Sequence, residues 1–109
     1  MYLAIVTHPI PPGAKDVEMT DLIRKTAPNY CHIPGLQRKY FMGNAALAGG
    51  VYEFESEEAA RQYFDAAWLA RMKNTYGVVV EVAFFAAPAF VDVKSKMLHL
   101  QAVTEKIST

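Results

Sequence analysis

The segment from Val78 to Ala87, Val-Val-Val-Glu-Val-Ala-Phe-Phe-Ala-Ala, constrains the fold more than any other part of the chain. It is rich in β-branched and aromatic residues, follows the breaker Tyr76-Gly77 and stops at Pro88, so it reads as a strand. Side chains alternate along a strand. Val79, Glu81, Ala83 and Phe85 therefore share one face, and Val78, Val80, Val82 and Phe84 the other. Only Glu81 interrupts the apolar run, so both faces need a cover. A chain of 109 residues forms one domain and has helices enough for one side of a sheet. A second copy, sheet against sheet, supplies the other layer.

Composition agrees with a soluble globular domain: 52% of residues are apolar and 20% charged. Eleven basic residues balance eleven acidic ones, so no net field draws the chain to nucleic acid or an anionic membrane. The single cysteine, Cys31, leaves no intramolecular disulfide and no zinc site built on two thiolates. A reducing compartment fits this usage. The N-terminus, Met1-Tyr2-Leu3-Ala4-Ile5-Val6, carries no basic flank and turns polar at Thr7-His8-Pro9, too early for a signal or a span. A cytoplasmic protein is expected.

The rest of the chain supplies the other elements. Tyr2 to His8 reads as a strand, closed by the cluster Pro9-Ile10-Pro11-Pro12-Gly13. Met19, Leu22, Ile23 and Thr26 have helical spacing, which predicts a helix over Ala14 to Ala27, ended by Pro28. After the turn Ile33-Pro34-Gly35, strands are expected over Leu36 to Met42 and Ala48 to Glu55, the second opening on Gly49-Gly50. Ser56 is a helix cap followed by Glu57 and Glu58. Ala60, Tyr63, Phe64 and Ala67 form an inward stripe with Trp68 and Met72 at its edge, in one helix that Tyr76-Gly77 stops. Val93, Met97, Leu100, Thr104 and Ile107 also fall at helical spacing. The reading is an α+β domain over 1–90, a ferredoxin-like βαββαβ antiparallel sheet with two helices on one face, followed by a helical tail over 91–109. Paired through its open face it makes a dimeric α+β barrel.

Two stretches carry a family resemblance. Ile33-Pro34-Gly35-Leu36-Gln37-Arg38-Lys39-Tyr40-Phe41 resembles a segment of the antibiotic-biosynthesis-monooxygenase-like dimeric barrels. Ala48-Gly49-Gly50-Val51-Tyr52-Glu53-Phe54, followed by Ser56-Glu57-Glu58-Ala59 and Tyr63, resembles the YdhR-like mono-oxygenases of that superfamily. The resemblance implies a homodimer with a pocket between sheet and helices in each protomer. Characterised relatives oxidise quinol-like aromatics without a cofactor, degrade haem or isomerise lactones. The haem-degrading members use a helix histidine as iron ligand, and the second helix here has no histidine. Members that oxidise aromatics or haem use an asparagine-tryptophan pair. The first strand offers no asparagine, and Asn44 lies in a loop.

Several residues are candidates for chemistry. His8, at a strand end beside the proline loop, has the side chain for a general base near neutral pH; an ordinary half-exposed histidine is the alternative. Tyr52 and Phe54 share a face and should lie under the helices, where a buried tyrosine hydroxyl must find a partner. Arg38 shares parity with Leu36, Tyr40 and Met42. On the helix side it would hold a substrate oxyanion, and otherwise it pairs with a sheet carboxylate. Trp68 can stack on an aromatic substrate or fill the core. Tyr40 and Tyr63 repeat the Tyr52 argument more weakly. His32 and His99 read as ordinary residues, and Cys31 beside His32 makes no nucleophilic pair. No histidine pair has metal-ligand spacing, and no phosphate-binding glycine motif occurs.

The resemblance implies cofactor-independent mono-oxygenation of a small quinol-like aromatic, and the absence of metal-ligand spacing adds the expectation of no metal. His8, Arg38 and Tyr52 are the catalytic candidates; Trp68, Tyr40, Tyr63 and Phe54 are the substrate-binding ones. A non-catalytic ligand-binding barrel, or a lactone or enol isomerase on the same fold, remains the alternative.

Overall fold

The computed structural model describes residues 1–10 and 19–108. Its elements are β1 (Tyr2–Pro9), α1 (Met19–Tyr30), β2 (Leu36–Gly43), β3 (Leu47–Phe54), α2 (Glu57–Tyr63), α3 (Ala66–Tyr76), β4 (Glu81–Ala86), β5 (Ala89–Asp92), β6 (Met97–Leu100) and β7 (Thr104–Lys106). The first four helix-flanked strands form one antiparallel sheet in the order β2-β3-β1-β4. β1 and β2 are thus parallel and split by β3, which is the ferredoxin-like arrangement.

Register decides which side chains meet the helices. Tyr2 pairs with Phe54, Ala4 with Tyr52 and Val6 with Gly50, while Val82 and Phe84 lie beside Val6 and Ala4 on the other flank. Ala4, Val6, Tyr52, Phe54, Ala60, Phe64 and Trp68 form the buried core on this side, so the expected parity of β3 and β4 holds. Gly49 is required by backbone proximity. At φ +158° it faces β1 so closely that a Cβ would collide with the Val6 carbonyl oxygen.

The opposite face carries Leu3, Ile5, Val51, Leu47, Tyr40, Ala83 and Phe85 by the same register. Tyr40 and Phe85 are each more than half exposed in the single chain. No helix covers this side among the described residues.

Four elements depart from expectation. The expected start of the first helix, Ala14, lies outside the described residues, and its end is later than predicted: α1 passes through Pro28 to Tyr30. Proline removes one amide donor without forbidding helical φ, and only a short final turn follows it. The second helix is two helices. Ser56 caps α2, accepting from Ala59 N at 3.1 Å. The chain then leaves helical geometry at Phe64 (φ −93°, ψ 60°), and Asp65 caps α3. The break turns Trp68 inward and leaves Ala67 exposed, so Trp68 and not Ala67 completes the buried stripe.

The last sheet strand begins at Glu81 and not at Val78. Val78 to Val80 form the connection from α3, and Val78 is buried there. Finally, the tail is not helical. β5, β6 and β7 form a three-stranded antiparallel meander. Turn chemistry overrides the apolar spacing: Asp92 Oδ1 accepts from Ser95 N at 3.3 Å, and Lys96 adopts φ +57° between β5 and β6. Phe90 stacks on its cross-strand partner His99 at 4.3 Å, and His99 Nδ1 lies 3.2 Å from Thr104 Oγ1. The meander makes the molecule elongated. Its radius of gyration is 15.9 Å, against about 13 Å for a compact chain of this size.

Candidate functional site

Between sheet and helices lies a wall of aromatic rings. Tyr52 and Phe54 reach it from β3, Tyr63 from the end of α2, Phe64 from the break and Trp68 from the first turn of α3. Phe64 is the hub. Its ring meets Tyr63 at 4.7 Å, Tyr52 at 4.8 Å and Trp68 at 4.8 Å, each nearly perpendicular. Edge-to-face contacts of this kind align ring edges with the electron-rich faces of their neighbours. Trp68 is only 8% exposed, held by Asp65 Oδ1, which accepts from the Trp68 amide at 2.8 Å. Four of the sequence candidates (Tyr52, Phe54, Tyr63 and Trp68) therefore meet in one cluster.

The edge strand β2 contributes the group that sequence parity misassigns. Leu36 pairs with Phe54, but Arg38 pairs with Glu53, so Gln37 is an extra residue in a bulge. From there the faces exchange. Lys39 pairs with Tyr52 and turns to the helix side, while Arg38 and Tyr40 turn to the open face. The expected shared face of Leu36 with Arg38 and Tyr40 is corrected accordingly. Arg38 Nη1 donates to Tyr40 Oη at 3.4 Å, and its guanidinium stands 5.7 Å from the Phe90 ring centre. These residues line an open groove of about 410 Å³ with Glu53 and Asp92, apart from the aromatic wall.

Lys39 is caged by rings. Its Nζ is 3.7 Å from the ring centre of Tyr30, 4.0 Å from Phe41 and 4.6 Å from Tyr52. Gly50 makes room for its stem: a Cβ there would stand 3.0 Å from Lys39 Cε. Among the described residues no carboxylate lies within ion-pair distance of the amine. Burial disfavours the ammonium and pushes Lys39 down to about 8. Beside it, Tyr52 is buried against Tyr30, with their ring centres 6.2 Å apart. Burial raises both tyrosines above the ordinary phenol range, Tyr52 strongly, so both stay protonated. The site thus sets two neutral hydroxyls next to an amine that parts readily with its charge.

His8 is not part of this group. It belongs to the helix-side register, opposite Ala48, about 13 Å along the strand from the Tyr52 row. In the tautomer with Nδ1 protonated, it donates to the Pro9 carbonyl at 2.8 Å. At the far end of the sheet Glu57 joins Tyr2 and Arg61 (Tyr2 Oη to Glu57 Oε2 3.0 Å, Arg61 Nε to Glu57 Oε2 2.8 Å), an exposed clasp of α2 onto β1. Cys31 is exposed, and His99 belongs to the Phe90 stack. Sequence reasoning missed Lys39 and Tyr30, while Phe64 was expected in the inward stripe, where it lies. A one-residue bulge leaves no sequence signal in Leu-Gln-Arg-Lys, and Tyr30 lay beyond the expected helix end. The Asp65-x-x-Trp68 spacing was a readable cap for the inward turn.

The family model described as Putative mono-oxygenase ydhR matches residues 11–105. The chain belongs to the ydhR family. No curated protein sequence matches it. Two solved structures resemble this ydhR-family chain with a TM-score of 0.53 each. One is NE2512, a protein of unknown function from Nitrosomonas europaea, at 14% identity over 79% of this chain and 90% of the other. The second is a variant of SnoaB, a cofactor-independent oxygenase from Streptomyces nogalater, at 16% identity over 79% of this chain and 92% of the other. At these identities the likeness establishes the shared fold. No helix of this ydhR-family member, among its described residues, is long and apolar enough to cross a membrane.

Proposed function

We propose that this ydhR-family protein is a cytoplasmic, homodimeric mono-oxygenase that oxidises a small electron-rich aromatic without a cofactor. The observation that carries this reading is the pair of phenol side chains, Tyr30 and Tyr52, whose rings stand against Lys39 in an aromatic wall. Tyr63, the partly exposed ring of the wall, offers a flat substrate apolar contact, while Phe54 and Trp68 are packed behind it and hold the wall in place. The family supports mono-oxygenation in general, and the fold is shared with a cofactor-independent oxygenase.

In the reaction, loss of a proton converts the substrate to its phenolate or carbanion, which delivers an electron to molecular oxygen. Oxidation of a ring C–H ortho or para to that oxygen, a CH₂ in the keto tautomer, then leaves one oxygen atom as a new ring carbonyl and the other as water. The substrate supplies all the electrons, so no external reductant enters the balance. Hydrogen-bond donors aimed at the developing oxyanion lower the barrier to its formation. Tyr30 and Tyr52 are suited to that role because both retain their protons. Dimerisation would cover Leu3, Ile5, Val51 and Phe85 on the open sheet face.

The test is oxygen uptake with a panel of hydroquinones and hydroxylated polycyclic aromatics, paired with thermal shifts on the same compounds. Consumption of oxygen in step with substrate supports the reading. Stabilisation without turnover would replace it with a non-catalytic binding function.

A further inference from the structure

We propose that Lys39 is the proton acceptor of this site, and that its substrates are planar phenols or enols acidic enough to give up a proton to an amine. The inference deepens the oxygenase reading and rests on it for the later oxygen step, but the proton transfer stands on its own chemistry. Lys39 is half-buried on the edge strand β2, so a ligand can reach the amine from the side of the sheet, past the partly exposed ring of Phe41.

The groups facing Lys39 are Tyr30 from α1, Tyr52 from β3 and Phe41 from its own strand. None carries a charge at neutral pH. A lysine kept as a structural cation is ordinarily met by a carboxylate, and among the described residues this one is not. Among the described residues the groups around the amine are ring faces, which attract an ammonium less than water and a counter-ion do. The cage is therefore incomplete until an anion enters. When a phenol or enol binds, its O–H bond breaks, an N–H bond forms on Lys39, and the electron pair stays on the substrate oxygen. The new ammonium and the new anion neutralise each other inside an apolar enclosure, where their attraction exceeds its value in water. No electron moves and no co-reactant is needed. Gly50 is part of the same device, because its missing side chain leaves the channel through which the lysine stem reaches the rings.

His8, the base that sequence alone suggests, lacks this setting. It stands at the strand end with its Nδ1 turned to the Pro9 carbonyl, about 13 Å along β1 from the Tyr52 row.

The experiment uses 3-nitrophenol, whose phenolate absorbs visible light where its neutral form does not, with the full chain at about pH 8, where the Lys39 amine is partly neutral and the free phenol is still mostly protonated. The expected result is a saturable gain in the phenolate band with the wild-type protein, without release of protons to the buffer, and binding at least about tenfold tighter than that of 3-nitroanisole, which has no proton to give. Lys39→Met should abolish the gain, while Lys73→Met, an exposed lysine on α3, should retain it. A bound but neutral nitrophenol in the wild type overturns the proposal without recourse to any variant. A gain that survives Lys39→Met overturns it as well. Oxygen uptake is scored separately: a phenolate band that depends on Lys39, with no oxygen consumed by any substrate, sustains the proton acceptor and discards the oxygenase.

Discussion

Asp65 accepts a hydrogen bond from the Trp68 backbone amide at 2.8 Å, and this bond starts α3 in the orientation that buries the indole. Without the cap, α2 and α3 would tend to run on as one helix, with Trp68 at the edge of the stripe. Asp65→Ala is expected to cost about 1 kcal/mol, the usual value of an N-cap. It should also shift Trp68 fluorescence to longer wavelength. Chemical denaturation followed by intrinsic fluorescence measures both effects, and a change in stability with unchanged emission would separate the cap from the ring's position.

Trp68 itself belongs to the core. Trp68→Ala should destabilise by about 3–5 kcal/mol, because the space left beside Phe64 is walled by rings that cannot easily collapse. Trp68→Phe, which keeps a ring against Phe64, should recover most of that loss. Thermal unfolding of the two variants gives the comparison.

Lys39 should make stability depend on pH in a definite direction. Its folded value of about 8 lies below the ordinary 10.5, so between these two the unfolded chain binds the extra proton. Stability therefore rises with pH across that window. Tyr52 opposes it only above about 10: its raised value favours the folded state until the unfolded phenol begins to ionise. Between roughly pH 8 and 10 the lysine effect stands alone. Lys39→Met should be more stable than wild type at neutral pH, by about 2 kcal/mol once partial solvent exposure is allowed for, with the gap closing as pH rises. Urea denaturation across that range is the measurement. A variant less stable than wild type at neutral pH would make the amine a structural cation.

The open sheet face should hold the dimer together. Phe85 is 52% exposed in the single chain and lies on that face beside Leu3. Phe85→Lys is expected to yield monomer in sedimentation equilibrium, since a lysine there would be desolvated between two sheets. Lys73→Met, on the helix layer's outer surface, should leave the assembly unchanged.

Gly50→Ala tests whether the lysine channel is real. The added methyl would come 2.7 Å from the Tyr40 carbonyl oxygen and 3.0 Å from Lys39 Cε. A loss of about 1–3 kcal/mol is expected from this overpacking. Displacement of Lys39 from the rings should appear as a change in the aromatic ring-current shifts on its side-chain protons.

The sheet order, the Ser56 cap and the inward side of β3 were legible because each rests on local chemistry: alternation, a hydroxyl before two glutamates, and glycines where strands crowd. The misread parts depend on contacts distant in sequence. The Gln37 bulge is fixed by pairing of β2 with β3, and no residue near it announces the extra position. That single slip moved Arg38 and Tyr40 away from the site and brought Lys39 into it. The tail failed for a related reason. Met97, Leu100 and Thr104 satisfy helical spacing, but Phe90 stacks on His99 only when the segment is extended.

The bulge also bears on how chains meet. β2 is an edge of the main sheet, and unpaired backbone donors and acceptors on such an edge are a template on which another strand can extend the sheet. A kink at Gln37 and a lysine that points inward two residues later spoil that edge as a template, since an incoming strand would have to bury an amine against its own apolar side chains. The rim is thereby a poor place for a second chain to add, and an edge that resists pairing gives a fibre nowhere to grow.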